Sequence, residues 1–329
     1  MLIGSQLKKL LRSKTVMLMY VSAAVVLFFY AINPNYLGWD NIRGIMNAMS
    51  LSGTLGVGMA FLLMGGGIDL AAGAEGCIGA ILVAMLMKTG MPWPAALLLG
   101  LVFGVAAGAV NAFLVNGLNF MGFIATIAMS SIYSGLALVL TNNQNVAINN
   151  QAFWRVGSYA LFGVFPMAFV ILVVLIVVYG FILSKTRFGR CILLCGGNRM
   201  AARLAGVDPK RVTTVLYMNC GALATLAGSV LAARMHFASP TAVSTGALDA
   251  ITAAVLGGVS FMGGGGNIGG LLVGLILLNT FNNGLVVINL QAYWQIVSQG
   301  ALLIIALCVD FLNERAKAAS LRAAAKKSA

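Results

Sequence analysis

The sequence predicts an all-α, polytopic membrane protein of about ten transmembrane helices, with an internal repeat and short broken helices. Three observations predict it. Of its 329 residues 60% are hydrophobic and only 8% are charged, with a mean hydropathy of +0.98. No water-facing surface can be built from such a composition. A hydrocarbon core of about 30 Å takes roughly 20 apolar residues at helical rise, and uncharged runs of that order recur at 16–32, 95–118, 161–183 and 212–233. Finally, sixteen of the twenty Lys and Arg residues lie in three places: before the first run, in 185–211, and after the last run.

Taken in order, the expected spans are 15–33, 51–64, 71–87, 93–116, 120–140, 163–183, 212–233, 249–262, 267–288 and 292–311. The first follows Lys8, Lys9, Arg12 and Lys14 as a signal peptide would. No small-residue cleavage site follows it, and Ile32-Asn33-Pro34-Asn35 reads as a loop, so it is expected to be retained. The second and eighth are short for a full crossing and are expected as broken or re-entrant helices buried against protein. Pro92 and Pro94 suit the start of the fourth. Asn142-Asn143-Gln144-Asn145 divides the long apolar run 90–154.

Basic segments stay on the cytoplasmic side of a membrane. The rule places a segment 1–14, a loop 184–211 and a tail 312–329 there, with six spans before the loop and four after it. The chain then reads as one transmembrane domain, 1–329. The same three segments account for the net charge of +13 as an attraction to anionic headgroups, which removes any need for a nucleic-acid partner. Five cysteines, odd in number and scattered through apolar segments, make neither a disulfide framework nor a metal site.

Two glycine-rich segments resemble each other. Gly66-Gly67-Ile68-Asp69-Leu70 with Gly73 and Gly79 matches Gly257-Gly258-Val259-Ser260-Phe261 with Gly264 and Gly270. Paired, Gly-interrupted helices of this kind line permeation paths in transporters, while glycine also serves close helix packing. The first segment adds Asp69 and Glu75 to an otherwise uncharged run, 44–87. A carboxylate at membrane depth costs about 2.5–3.5 kcal/mol on insertion scales. Asp69 therefore marks a water-filled path or a fixed partner, or else caps the following helix. Asp249 sits where an N-cap or first-turn acid belongs. His236 and Arg234 fall in an extracytoplasmic loop without the neighbours a metal site or triad requires.

Within the basic loop, Asn198 to Gly206 reads as a short helix with Asn198 as cap and Gly206 as stop. Met200, Ala201 and Leu204 form its apolar side and Arg199 and Arg203 its polar side. Such an element is either a docking surface or a lipid-surface helix.

Thr186-Arg187-Phe188-Gly189-Arg190, then Gly196-Gly197-Asn198 with Ala201-Ala202-Arg203-Leu204-Ala205-Gly206-Val207, resembles the cytoplasmic segment of ribose-type permeases of bacterial ABC sugar importers. The resemblance continues in Gly67-Ile68-Asp69-Leu70, Phe123-Ile124-Ala125-Thr126, Asp249-Ala250-Ile251, Leu256-Gly257-Gly258, Met262-Gly263-Gly264 and Asn282-Asn283-Gly284-Leu285. It implies a non-catalytic permease subunit of a bacterial inner membrane that imports a carbohydrate, a ribose-like sugar or related polyol, by alternating access. The implied partners are a second permease, identical or not, two cytoplasmic ATP-binding subunits holding ATP and Mg, and an extracytoplasmic sugar-binding protein. Gly189, Asn198, Ala202, Arg203 and Gly206 would then serve ATPase coupling. Gly67, Asp69, Asn111, Asn282 and Asn283 would serve the path or its gates. The sequence departs from the family at Ala71-Ala72-Gly73-Ala74-Glu75, where the family commonly has Ser after Asp-Leu and a neutral residue near Glu75.

The chain lacks a G-x-x-x-x-G-K-[ST] loop, so this segment type cannot supply ATP hydrolysis here and no cofactor is expected on it. No nucleophile–base set or metal constellation argues for an enzyme. The alternative class is an ion-coupled secondary transporter for a small polar solute, which would share the repeat and the intramembrane acid.

Overall fold

The computed structural model describes residues 14–328. Lys8, Lys9 and Arg12, and with them most of the expected cytoplasmic segment 1–14, lie outside the described residues. Thirteen α-helices run in order through the described chain. They are α1 Lys14–Ile32, α2 Trp39–Met64, α3 Ala72–Lys88, α4 Trp93–Ala112, α5 Gly122–Thr141, α6 Gln151–Ser158 and α7 Met167–Lys185. After these come α8 Arg187–Gly197, α9 Arg199–Leu204, α10 Pro209–Met235, α11 Gly246–Leu256, α12 Ile268–Val287 and α13 Ala292–Ser328. A π-helical turn, Phe113–Gly117, extends α4. Two-residue strands make two small antiparallel pairs, Val146–Ala147 with Phe237–Ala238 and Ala160–Leu161 with Phe165–Pro166.

Among the described residues six helices are long and apolar enough to cross a membrane: α2, α4 with its π turn, α5, α7, α10 and α12. Three shorter apolar helices, Val16–Ile32, Gly246–Leu256 and Tyr293–Cys308, accompany them, and α3 has 17 residues. Length and composition thus support six of the ten expected spans outright.

The second span is the clearest correction. The sequence suggests a short element at 51–64, but α2 is a full helix of 26 residues. Its first turns tolerate charge because they lie at the bundle's end, where Asp40 sits in the first turn and the Arg43 guanidinium lies 5.6 Å from the Trp39 ring and donates to Gly163 O. α11, by contrast, is short, with 11 residues. The expected loop between spans five and six contains α6, and the basic loop is almost wholly helical as α8 and α9.

Burial identifies the solvent. Of the most apolar window in each helix, 72% is buried in α2 and in α10 but only 17% in α7, which is the most apolar of the six. A water-soluble bundle would show the reverse order, with its most apolar helices inside. Here lipid covers the apolar helices and the less apolar ones form the centre. α10 is the hub, packed against α4, α3 and α2, while α11 and α12 pack on α2, and α1 on α12.

Glycine makes the central contacts possible. Gly100, Gly104 and Gly108 recur at every fourth residue of α4, one face of the helix. A Cβ on Gly104 would stand 2.5 Å from Gly221 O of α10, and one on Gly221 would stand 2.2 Å from Gly104 O. The two backbones therefore touch with no side chain between them.

The repeated segments share one local geometry. After α2, Gly66 has φ +75°, Gly66 N–H donates to Leu63 O and Gly67 N–H to Leu62 O. After α11, Gly258 has φ +85°, its N–H donates to Val255 O and Val259 N–H donates to Ala254 O. Both are the paired-bond helix stop that requires a left-handed residue, which glycine adopts without penalty. The geometric match pairs Gly66 with Gly258, one residue later than the sequence comparison suggests.

One end of the bundle, the loop side, carries α8, α9 and both breaks. Met17 and Leu18 near the start of α1 line a groove with Leu256, Gly258 and Asp310 at that end. The beginning of α1, the basic loop and the later part of α13 therefore share a face.

Candidate functional site

Polar residues gather at three levels of the bundle. At the far side, residues from α2, α10, α11, α12 and α13 line a cavity of about 320 Å³: Asn47, Ser52, Arg234, Asp249, Asn279, Asn282, Asn283 and Gln295, with Ala48, Leu51, Gly246 and Val286. Asn41 Nδ2 donates to Asn283 Oδ1 at 2.8 Å, and Asn283 Nδ2 returns to Asn41 Oδ1 at 3.0 Å. Asn279 Nδ2 donates to Ser52 Oγ at 3.0 Å and to Leu275 O at 2.8 Å. Asp249, in the first turn of α11, accepts from the Gln299 amide of α13. Asn47 Oδ1 and Asn282 Oδ1 are buried with no hydrogen-bond partner among the described residues. Amides, a carboxylate and a guanidinium around a space of this size suit a small solute rich in hydroxyl groups, because each can donate to or accept from an alcohol.

In the interior, Asp69, Glu75 and Asn111 form one cluster, and all three are fully buried. Asn111 Nδ2 lies 3.2 and 3.1 Å from the Asp69 carboxylate oxygens and 2.9 Å from Glu75 Oε1. Ala71 N–H donates to Asp69 Oδ1 at 2.9 Å. One amide thus holds the break before α3, the first turn of α3 and the end of α4. Of the two roles the sequence leaves open for Asp69, the geometry combines a fixed partner, Asn111, with a backbone bond that ties the entry to α3. The residue at the N-cap position itself is Ala71, which makes no side-chain cap.

On the loop side, Gly66, Gly67, Ile68, Asn116, Asn119, Arg199, Thr213 and Tyr217 are among the residues lining a second cavity of about 420 Å³. Lys210 Nζ donates to Asn116 O at 2.7 Å and to Asn119 Oδ1 at 3.0 Å, fixing the start of α10 to the turn after α4. The α8–α9 unit stands beside it. Thr186 Oγ1 caps α8 by accepting from Gly189 N–H, and Asn198 Oδ1 caps α9 by accepting from Met200 and Ala201 N–H. Gly189 lies so close to α7 that a Cβ there would stand 2.3 Å from Leu183 O. Gly206, at φ +78°, ends α9 with Val207 N–H donating to Ala202 O. Ala202 is the buried member of α9, whereas Met200 and Leu204 are 63% and 84% exposed. The two large apolar side chains of α9 are thus exposed, and the small Ala202 is the residue that packs inward.

The sequence-predicted residues separate along this axis. Asn282 and Asn283 line the far cavity, Asp69 and Asn111 meet in the interior, and Gly67 lines the loop-side cavity. Gly189, Asn198, Ala202, Arg203 and Gly206 build or flank the α8–α9 unit. Sequence reading missed Asn47, Ser52, Asn279 and Gln295. Their signal was a polar residue inside an apolar helix, which three helices, α2, α12 and α13, had to converge to make meaningful. His236 stacks on Trp154 with ring centroids 4.2 Å apart and closes the far end of α10.

An all-helical bundle turned apolar side out, with a polar cavity toward each end and a capped helical unit at one face, defines an integral membrane protein of the transport class. The chain belongs to the family described as branched-chain amino acid transport system / permease component, whose model matches residues 41–307. The ribose import permease protein RbsC of Bacillus subtilis (strain 168) is 35% identical over 288 residues, 87% of this chain and 89% of that protein. The D-allose transport system permease protein AlsC of Escherichia coli (strain K12) is 34% identical over 296 residues, 89% of this chain and 90% of that protein. The L-arabinose transport system permease protein AraH of the same strain is 34% identical over 293 residues, 86% of each chain. No solved structure matches the chain significantly. These relatives give the ion-coupled alternative no support.

Proposed function

We propose that this chain is the membrane-spanning permease subunit of an ATP-binding-cassette importer for a carbohydrate, a ribose-like sugar or related polyol. It makes ten passes, α1, α2, α3, α4, α5 and α7 before the α8–α9 unit and α10 to α13 after it. Both termini and the α8–α9 unit face the cytoplasm, as the cation distribution requires in a bacterial inner membrane. A second permease, homologous or identical, completes the membrane part. Two cytoplasmic subunits supply ATP and Mg, and an extracytoplasmic binding protein delivers the sugar to the far cavity.

The observation that carries this reading is the α8–α9 unit, capped at both helix starts and presenting exposed Met200 and Leu204 at the loop-side end of the bundle. A rigid apolar knob on a cytoplasmic face suits a protein partner, and the named relatives support the substrate class. ATP binding and release can bias inward and outward states only through contacts that differ between them, and this unit is where such contacts would be made.

Purified with its ATPase subunits and binding protein and placed in proteoliposomes, the chain is expected to drive ATP-dependent uptake of one of ribose, allose or arabinose. Leu204→Asp is expected to abolish copurification of the ATPase subunits while leaving the permease inserted. Retention of those subunits at the wild-type ratio would overturn the docking role. At the far cavity, Asn282→Leu removes an acceptor that no described residue uses. It is expected to reduce uptake roughly 3–10-fold, the value of one lost hydrogen bond, with ATPase association unchanged.

A further inference from the structure

Three glycine-bearing turns from distant parts of the chain meet at one point on the loop side. They are residues 65–67 after α2, residues 196–197 at the end of α8, and residues 263–264 between α11 and α12. A Cβ on Gly196 would stand 1.9 Å from Met64 O and 2.5 Å from Gly264 N. Those two atoms are themselves joined, because Gly264 N–H donates to Met64 O at 2.9 Å. A Cβ on Gly264 would stand 2.4 Å from Gly197 Cα, and one on Gly263 would stand 3.0 Å from both Gly66 Cα and Gly196 O. Arg199 Nη2 adds a bond to Gly66 O at 3.3 Å. The end of α8 therefore touches the backbone at both breaks, after α2 and after α11, at once.

We infer that Gly196 and its contacts, Gly66, Gly263 and Gly264, pass movement of the α8–α9 unit to the glycine breaks after α2 and α11, making these glycines positioning residues for transport. The inference rests on the docking role proposed for α9. Its physical basis is the lack of side chains at the junction. A side chain between two elements absorbs a small displacement by changing rotamer, whereas bare backbones in contact must move together or part and leave a gap. The Gly264–Met64 bond ties the two breaks to each other, so one push reaches both. Met200 and Leu204 are exposed while Gly196 is packed into the junction, so one compact unit carries separate contacts for its partner and for the breaks.

Adjacent glycines supply the test. A Cβ on Gly197 would meet only Gly264 Cα, at an ordinary 3.7 Å, whereas one on Gly196 forces backbone apart. In the complete reconstituted importer, Gly196→Ala is expected to retain its ATPase subunits and basal ATP hydrolysis but to lose at least about tenfold in sugar carried per ATP, the scale of an ångström-sized misplacement. Gly197→Ala is expected to match wild type. Gly263→Ala enters the junction from the broken-helix side, outside the docking unit, and is expected to reproduce the Gly196→Ala result. It carries the test alone if Gly196→Ala fails to insert. Wild-type transport per ATP in Gly196→Ala or Gly263→Ala, or equal losses in Gly196→Ala and Gly197→Ala, would overturn the inference. Retained ATPase subunits in Leu204→Asp would instead remove the docking reading.

Discussion

Replacing Asn111 with leucine is expected to destabilise the folded permease by about 1–3 kcal/mol, the usual cost of leaving buried polar groups without their hydrogen-bond donor. Asn111 Nδ2 is the side-chain donor shared by Asp69 and Glu75, and all three residues are fully buried. Leucine leaves Glu75 without its side-chain donor and Asp69 with Ala71 N–H alone. Among the described residues the one ion pair is Arg211 with Asp208, so no cation stands ready to take the amide's place. The expected readout is a large fall in the unfolding temperature of the detergent-solubilised protein, followed by size-exclusion chromatography. Adding Glu75→Leu to Asn111→Leu removes one stranded carboxyl and is expected to restore a substantial part of the loss, a non-additivity that marks direct coupling. Simple addition of the two single losses would show that the amide does not act through Glu75.

Gly104→Val is expected to have the second large effect, preventing formation of a monodisperse folded protein. Its side chain would have to occupy the space of Gly221 O, 2.5 Å from the Cβ position, and neither backbone can yield without shifting α4 away from the hub helix α10. Overpacking in a core costs typically 1–3 kcal/mol where side chains can adjust, and at this crossing the nearest obstacle is the Gly221 backbone, which cannot turn aside as the Thr225 side chain next to it could. Gly135→Ala in α5 is the matched control, since nothing lies within 4 Å of its Cβ position. Alanine there removes a helix-interior glycine and is expected to stabilise by about 0.5–1 kcal/mol. Equal behaviour of the two variants in thermal unfolding would refute close packing as the reason for the α4 glycines.

Local features were legible in the sequence. Asn198 as a helix cap and Gly206 as a left-handed stop were readable because each depends on a few neighbouring residues. The short α11 and the paired glycine stops after α2 and α11 were readable for the same reason, apart from one residue of register. The start of α2 was not. Arg43 and Asn47 look like the end of an apolar run, and only the neighbouring Gly163 carbonyl and the far cavity show why a helix continues through them.

By itself the sequence determined the solvent, the all-α polytopic class and the clustering of cations, since composition and run length report directly on a hydrocarbon environment. The tertiary structure alone decided which polar residues meet. Asn111 lies 42 and 36 positions from Asp69 and Glu75, and Asn283 lies 242 from Asn41. In a soluble helix an apolar stripe would announce the inward face, but lipid is as apolar as the core. Of the six long apolar helices the least buried, α7, is also the most apolar, so periodicity carries no such mark. Facing was fixed instead by where glycine lets backbones touch and where amides find partners, and both depend on residues that only the folded chain brings together.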